Sequence, residues 1–434
     1  MWVTSQWAYI SIDGGMQFKN VFTRWLSDGW RCRGLNNVNM MALNVSKANS
    51  NVIYAGYFDI GLWRSDNGGY SWVSCNDSLF TGSWRGHGGN VATILSDPFR
   101  ESVVWASQSE NQNGEFPTYL IRSDSFGRPG TWQTSDSGLP RIEIMGLSLD
   151  PNSPISNRTL YVTAGGNVYK SVDDGWTWTR VLNCNGCRFT AVSVKGDIIY
   201  AGGESGLWKS EDGGDSWIDV SHPDMYASTG VSFWDWNYEG IFTMYVDPDS
   251  FRHIYVVVYG ANKGLYRSKD GGNSWEHILV NDFLRDVLIV RNGENSIIFA
   301  ASSSAFQSGG YHPDSRGILY SADDGLTWQE SNDGLAFPFG IIMDYKDSVI
   351  WVGSPGQGFM KASLNVLLNN PSTGDSTTSV VKPNDISTSL NNLSYLNPLG
   401  QKVGFIPCKV PLIQCFNTLN PPKPVNCRII LLWR

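Results

Sequence analysis

A carboxylate at Asp59 sits in the phrase Tyr54-Ala-Gly-Tyr-Phe-Asp59-Ile-Gly-Leu-Trp63. Two carboxyl groups facing one groove can share acid–base or nucleophilic work, so a carboxylate such as this one would need a second. Partner acids of the right type occur far along the chain, at Asp235 and Glu239 and at Glu110 and Glu115; a second molecule is the other possible source. Aromatic residues share the same loops: Trp25, Trp30, Trp84, Trp234, Trp236 and Tyr311, with Tyr226, Tyr238, Asp28 and Asp314 beside them. Exposed rings next to polar groups suit sugars, whose C–H faces stack while their hydroxyls need hydrogen-bond partners. The structural alternatives are that Asp59 only caps its own loop by accepting backbone N–H groups, and that the tryptophans pack long loops onto the rim of the fold.

The elements that must position these residues follow from a repeat. A Ser, an Asp or its stand-in two residues on, a Gly, and a Ser or Thr followed by an aromatic recur from Ser11, Ser65, Ser123, Ser171, Ser210, Ser268 and Ser321. The copy Ser210-Glu-Asp212-Gly-Gly214-Asp-Ser216-Trp217 is complete, whereas Asn67 and Ser125 replace the acid in two others. Around each phrase lie short apolar runs, as at residues 38–45, 52–57, 61–64 and 71–74. Four short strands per unit, with a tight turn before the last, predict one blade of an all-β antiparallel propeller. Gly supplies positive φ in that turn, the short acid accepts its backbone N–H groups, and the closing Trp covers the seam to the next blade. Seven blades are expected, with eight as the alternative. The last strands, at residues 339–345, 349–353 and 359–362, are expected to complete the N-terminal blade and so remove an open edge. Alternation of strand direction then puts the long loops, residues 23–37, 76–90, 107–118, 221–240 and 302–317, on the face opposite the repeated turns.

The repeated phrases resemble the Asp boxes, or BNR repeats, of sialidases, family 74 xyloglucanases, sortilin receptors and photosystem assembly propellers, across residues 2–364. The Asp59 phrase is similar to the family 74 segment in which Thr-Asp-Ile-Gly-Gly carries a catalytic Asp, with Phe58 in place of Thr and Leu62 in place of Gly. That resemblance implies Asp59 as the catalytic carboxylate and a β-glucan-type polysaccharide as substrate. Family enzymes take the second carboxylate from a second propeller, and the repeats here make one. A sialidase needs an Arg-Ile-Pro phrase among three converging arginines, and Arg141-Ile-Glu143 is not that motif. The reading is an extracellular carbohydrate-binding propeller acting as a glycoside hydrolase; the alternative is a non-catalytic propeller for adhesion, protein binding or self-assembly.

The net charge of −8 and the lack of a basic cluster argue against nucleic acid as partner. No apolar run approaches the ~20 residues of a membrane span. The five His show no ligand spacing, so neither a metal nor a cofactor is expected. Met1-Trp-Val-Thr-Ser-Gln-Trp7 lacks the pattern of a signal peptide, while glycosylation triplets at Asn44, Asn76, Asn157 and Asn392 favour the outside of the cell. Among seven Cys, Cys184 and Cys187 suit a local disulfide and Cys32 and Cys75 could pair across loops. Domains are expected at residues 1–364 (propeller), 365–394 (a Ser-, Thr- and Asn-rich linker) and 395–434. In the last, Tyr395-Leu-Asn-Pro398 and Phe416-Asn-Thr-Leu419 resemble a worn type IX secretion sorting tail.

Overall fold

The second strand of each repeat is buried along nearly its whole length, and the fold explains why. Ile53–Tyr57, Leu160–Ala164 and Ile254–Tyr259 are buried at every position. A strand in the middle of a sheet that is covered on both faces has no side to leave polar. The computed structural model describes residues 2–3, 8–20, 23–32, 39–77, 89–109, 117–183, 187–227, 238–292, 295–305, 311–335 and 337–365.

Seven antiparallel sheets follow one another along the chain, at residues 40–74, 94–134, 147–182, 189–219, 240–280, 284–330 and 342–363. We number them blades 1 to 7. Six have four strands in sequence order, and the seventh has three. The innermost strands form a closed circle: each packs against the next, and Ile342–Lys346 of blade 7 packs against Met40–Val45 of blade 1. Asp344 fastens that last joint, its Oδ2 accepting the Val45 N–H at 2.6 Å and its Oδ1 lying 2.7 Å from the Lys47 ammonium.

Ring closure therefore differs from the expectation. The last three strands do not join the N-terminal ones; Trp2–Val3, Ala8–Ile10 and Lys19–Asn20 make a separate three-stranded sheet. Side-chain packing between first and last blades closes the circle without a shared sheet. Residues 366–434, with the linker and tail motifs, lie outside the described residues. Among the described residues, no helix is long and apolar enough to cross a membrane.

The repeated phrase is a self-contained turn. In blade 4, the Ser210 hydroxyl donates to Asp212 Oδ1 and accepts from the Gly214 N–H, while Asp212 accepts from the backbone and hydroxyl of Ser216. Two successive residues take positive φ, as at Gly213 (72°) and Gly214 (102°) or Asp324 (60°) and Gly325 (87°). The closing Trp then reaches across the seam. The indole N–H groups of Trp132, Trp178, Trp217, Trp275 and Trp328 donate to the carbonyls of Cys75, Ser135, Val181, Val220 and Ile278 on the preceding blades. At the joint between blades 7 and 1, Trp72 instead stacks on Phe359 with ring centroids 5.5 Å apart.

Gly272 shows how narrow the turn is: its φ is +94°, and a Cβ there would lie 2.8 Å from Val220 Cβ on the neighbouring blade. Gly272→Ala is expected to cost about 1–3 kcal/mol, from left-handed strain plus the clash. Denaturant titration checks this, and Gly130→Ala is the control for strain alone, because its Cβ would meet nothing within 4 Å.

Candidate functional site

Because strands alternate in direction, the turns between second and third strands and the links between blades emerge together, opposite the repeated turns. On that face the axial channel is plugged by Met41, Phe58, Met145, Tyr238, Tyr259 and Ile341, which form one apolar cluster. Behind the plug lies a cavity of about 220 Å³ lined by the first residues of the inner strands, among them Thr190, Thr243, Arg285, Asp286 and Ile341.

Asp59 stands in the turn between the second and third strands of blade 1, next to the plug residue Phe58. Its φ is +68°, and its N–H donates to Asn90 Oδ1 at 3.0 Å. A short acid tolerates the left-handed region, which is why the turn can be this tight. Glu239 follows the plug residue Tyr238, whose hydroxyl donates to the Ile241 carbonyl at 2.7 Å, and lies 3.8 Å from the Lys263 ammonium. Asp59 and Glu239 thus each stand one residue from a member of the plug at the channel mouth.

Rings lead away from that mouth toward blade 6. Tyr238, Phe242, Tyr259, Phe283 and His312 follow one another at centroid spacings of 6.2, 6.3, 6.2 and 4.9 Å. Tyr311, 45% exposed, sits 6.3 Å from Phe339, on which Phe337 stacks. Trp84, Trp234, Asp235, Trp236, Glu110 and Glu115 lie outside the described residues.

Trp25 and Trp30 stand elsewhere than expected. They pair edge to face, 4.9 Å apart, on the hairpin of Thr23–Leu26 and Gly29–Cys32. Trp30 exchanges two backbone hydrogen bonds of 2.7 Å with Trp72, and Asp28 accepts from Asn67. Backbone pairing therefore holds this hairpin on the repeated turn of blade 1, away from the opposite face. Of the two outcomes open for Cys32 and Cys75, a disulfide or free thiols, the structure shows no bond at Cys75. Cys75 is free within the apolar cluster around Tyr54 and Trp132, where burial pushes its thiol up to about 12. Cys187 is disulfide-bonded.

Sequence reasoning missed the charges inside the ring. Arg285 is fully buried, with its guanidinium 3.9 Å from the Tyr259 centroid and 4.9 Å from that of Phe242; burial lowers its pKa to about 10. Asp286 keeps a strip of surface along the channel, but protein surrounds it. Burial pushes its carboxyl up to about 7 against the hydrogen bonds from the Met343 and Val287 N–H groups, and the charge of Asp344 adds to the rise. The signal was available: Leu284–Asn292 begins with two charges where an inner strand should be apolar. Nearby, burial and then the Glu143 charge raise the Glu204 carboxyl, while Arg188, 3.6 Å away, acts in the opposite direction.

A carboxyl whose pKa is higher folded than unfolded favours folding while it stays protonated. The Asp286 contribution is thus present below about pH 4 and is lost as pH rises to about 7. The thermal midpoint of Asp286→Asn, relative to the parent chain, is expected to climb between pH 5 and pH 8. A constant difference across that range would refute the assignment.

No family model matches the chain. It is 30% identical over 277 residues to an oligoxyloglucan-reducing end-specific xyloglucanase of Emericella nidulans, covering 58% of this chain and 30% of that protein. It is 25% identical over 236 residues to a xyloglucanase of Paenibacillus sp, covering 51% of this chain and 19% of the enzyme. The chain thus spans less than a third of the length of these curated relatives. Among solved structures, an ancestral GH74 enzyme superposes with a TM-score of 0.56 at 15% identity, over 80% of this chain and 46% of that one. The chain is a seven-bladed β-propeller similar in sequence to part of the xyloglucanases and in fold to a GH74 enzyme.

Proposed function

We propose that this propeller acts outside the cell on a xyloglucan-type β-glucan, bound across the face opposite its repeated turns. Asp59 serves as one carboxylate of a hydrolytic pair, with Glu239 or Asp235 as the second. Tyr311 and the loop residues Trp84, Trp234 and Trp236 offer rings on which sugars stack. The observation that carries this reading is the 30% identity over 277 residues to a xyloglucanase. The shared channel mouth supports the choice of Glu239, since hydrolysis requires two acids on one groove. The extracellular part of the reading follows from the size of the proposed substrate, a polymer too large to enter a cell.

The match to only 46% of the GH74 enzyme favours a second reading, in which the face binds glycan without cutting it. One experiment separates them. The purified chain is run through native gels containing xyloglucan, and parallel digests are assayed for new reducing ends. Retardation with release supports hydrolysis; retardation alone supports the binding module; neither outcome on xyloglucan, mixed-linkage β-glucan or cellulose would end both.

A further inference from the structure

We propose that the hairpin of Thr23–Leu26 and Gly29–Cys32 is a second glucan-binding surface, on which pyranose rings of a neutral β-glucan chain stack against Trp25 and Trp30. The choice of ligand rests on the polysaccharide reading above. The place does not, since this hairpin sits on the repeated turn of blade 1, away from the channel mouth.

Exposure is the first argument. Trp25 and Trp30 are directly opposite each other in the hairpin ladder, so both rings stand on one side of it. Trp25 is 59% exposed and Trp30 40% exposed. The closing tryptophans of the repeats behave differently: Trp132 and Trp178 are buried, and their indole N–H groups are spent on carbonyls of the preceding blade. Those of Trp25 and Trp30 donate to no described residue.

Rigidity is the second. Trp30 exchanges two backbone hydrogen bonds with Trp72, and Asp28 accepts from the Asn67 side chain at 3.0 Å. Gly29, at φ +142°, approaches so closely that a Cβ there would lie 2.5 Å from the Trp72 carbonyl oxygen. The two indoles meet at 71° with centroids 4.9 Å apart, one ring propping the other. Such a corner offers an apolar face to the C–H side of a pyranose and N–H groups to its hydroxyls. Rings that are already ordered lose little freedom on binding.

Area separates a sugar from a protein partner. Two indoles of about 150–250 Å² each, roughly half exposed, fall far short of the ~800 Å² per side that a stable protein interface buries. Around them the hairpin is polar, with Arg24, Ser27 and Asp28 exposed, while the Arg31 guanidinium lies 4.6 Å from the centroid of Tyr70. A surface of this kind holds a long chain near the protein without touching the bond to be cut, and its gain is one of effective concentration.

The test runs the full chain through native gels containing xyloglucan. Trp25→Ala removes the more exposed ring, and the ladder that holds the hairpin is made by backbone groups. Its retardation is expected to weaken by roughly fivefold, as for the loss of one stacked ring, and Trp25→Phe should recover most of that. A second measurement is independent of the Ala variant: xyloglucan should shield the indole fluorescence of the parent chain from acrylamide, and should shield Trp25→Phe less. Equal retardation of parent and Trp25→Ala, or equal shielding of parent and Trp25→Phe, overturns this surface and leaves the channel-mouth reading standing. No retardation of the parent by xyloglucan, mixed-linkage β-glucan or cellulose overturns both. A parent that self-associates in sedimentation, with a monomeric Trp25→Ala that is retarded equally, assigns the rings to a second copy of the chain instead.

Discussion

Arg158→Met is expected to destabilise the propeller by about 3–5 kcal/mol, the cost of stranding one partner of a buried ion pair. Arg158 and Asp97 are both fully buried and meet in a bidentate pair at 2.9 Å, while the Arg158 Nη1 donates to the Ser153 carbonyl. The pair does not stand alone. Arg100 bridges Asp97 to Asp174, and Arg122 also reaches Asp174, so five charged groups tie blade 2 to blade 3. Arg158→Lys, which keeps the charge without the fork, should fall between parent and Met variant. A drop in the thermal midpoint of the order of 10 °C is the expected readout. The network also has an acid limit. Burial alone would raise the Asp97 carboxyl, but hydrogen bonds from Arg158, the Phe99 N–H and Arg100 outweigh it and hold the group well below the usual range. Stability from this source is present above about pH 4 and is lost on acidification below it.

Asp59→Asn is expected to lower reducing-end release from xyloglucan by about 10²- to 10⁴-fold, the usual worth of a positioned acid or base. The substitution keeps size and the capacity for a left-handed turn, and the hydrogen bond from the Asp59 N–H to Asn90 belongs to the backbone. Thermal midpoint and gel retardation should therefore stay near those of the parent. Glu239→Gln separates the candidate partners: an equal loss supports Glu239, whereas unchanged release points to Asp235. Should Asp59→Asn unfold the chain or leave release intact, Asp59 is a loop cap and nothing more.

Much of the architecture was legible because one physical need recurs. Each turn before a fourth strand wants positive φ and an acceptor for its N–H groups, and only a few residue types supply both; the Ser210 and Ser268 copies read directly as turns. The seam role of the closing tryptophan was equally readable, since a large ring beside a turn has to be covered. Closure was not. It rests on Asp344 meeting the Val45 N–H across almost the whole chain, and no local pattern announces such a contact. The same holds for Trp30, whose loop looked free in sequence yet pairs its backbone with Trp72. Arg285 and Asp286 were visible as oddities of composition, but their meaning depends on seven strands converging around them.

The indole-to-carbonyl stitch at successive seams also sets where the wheel yields first. Five joints share that fastening; of the other two, the joint between blades 7 and 1 is held by a ring stack, the apolar cluster around Trp351, Asp344 and hydrogen bonds from Lys47, Lys346 and Lys361. Under load or mild denaturant the circle should part at one of the two joints flanking blade 7, as a bracelet opens at its clasp, before any blade loses its own sheet.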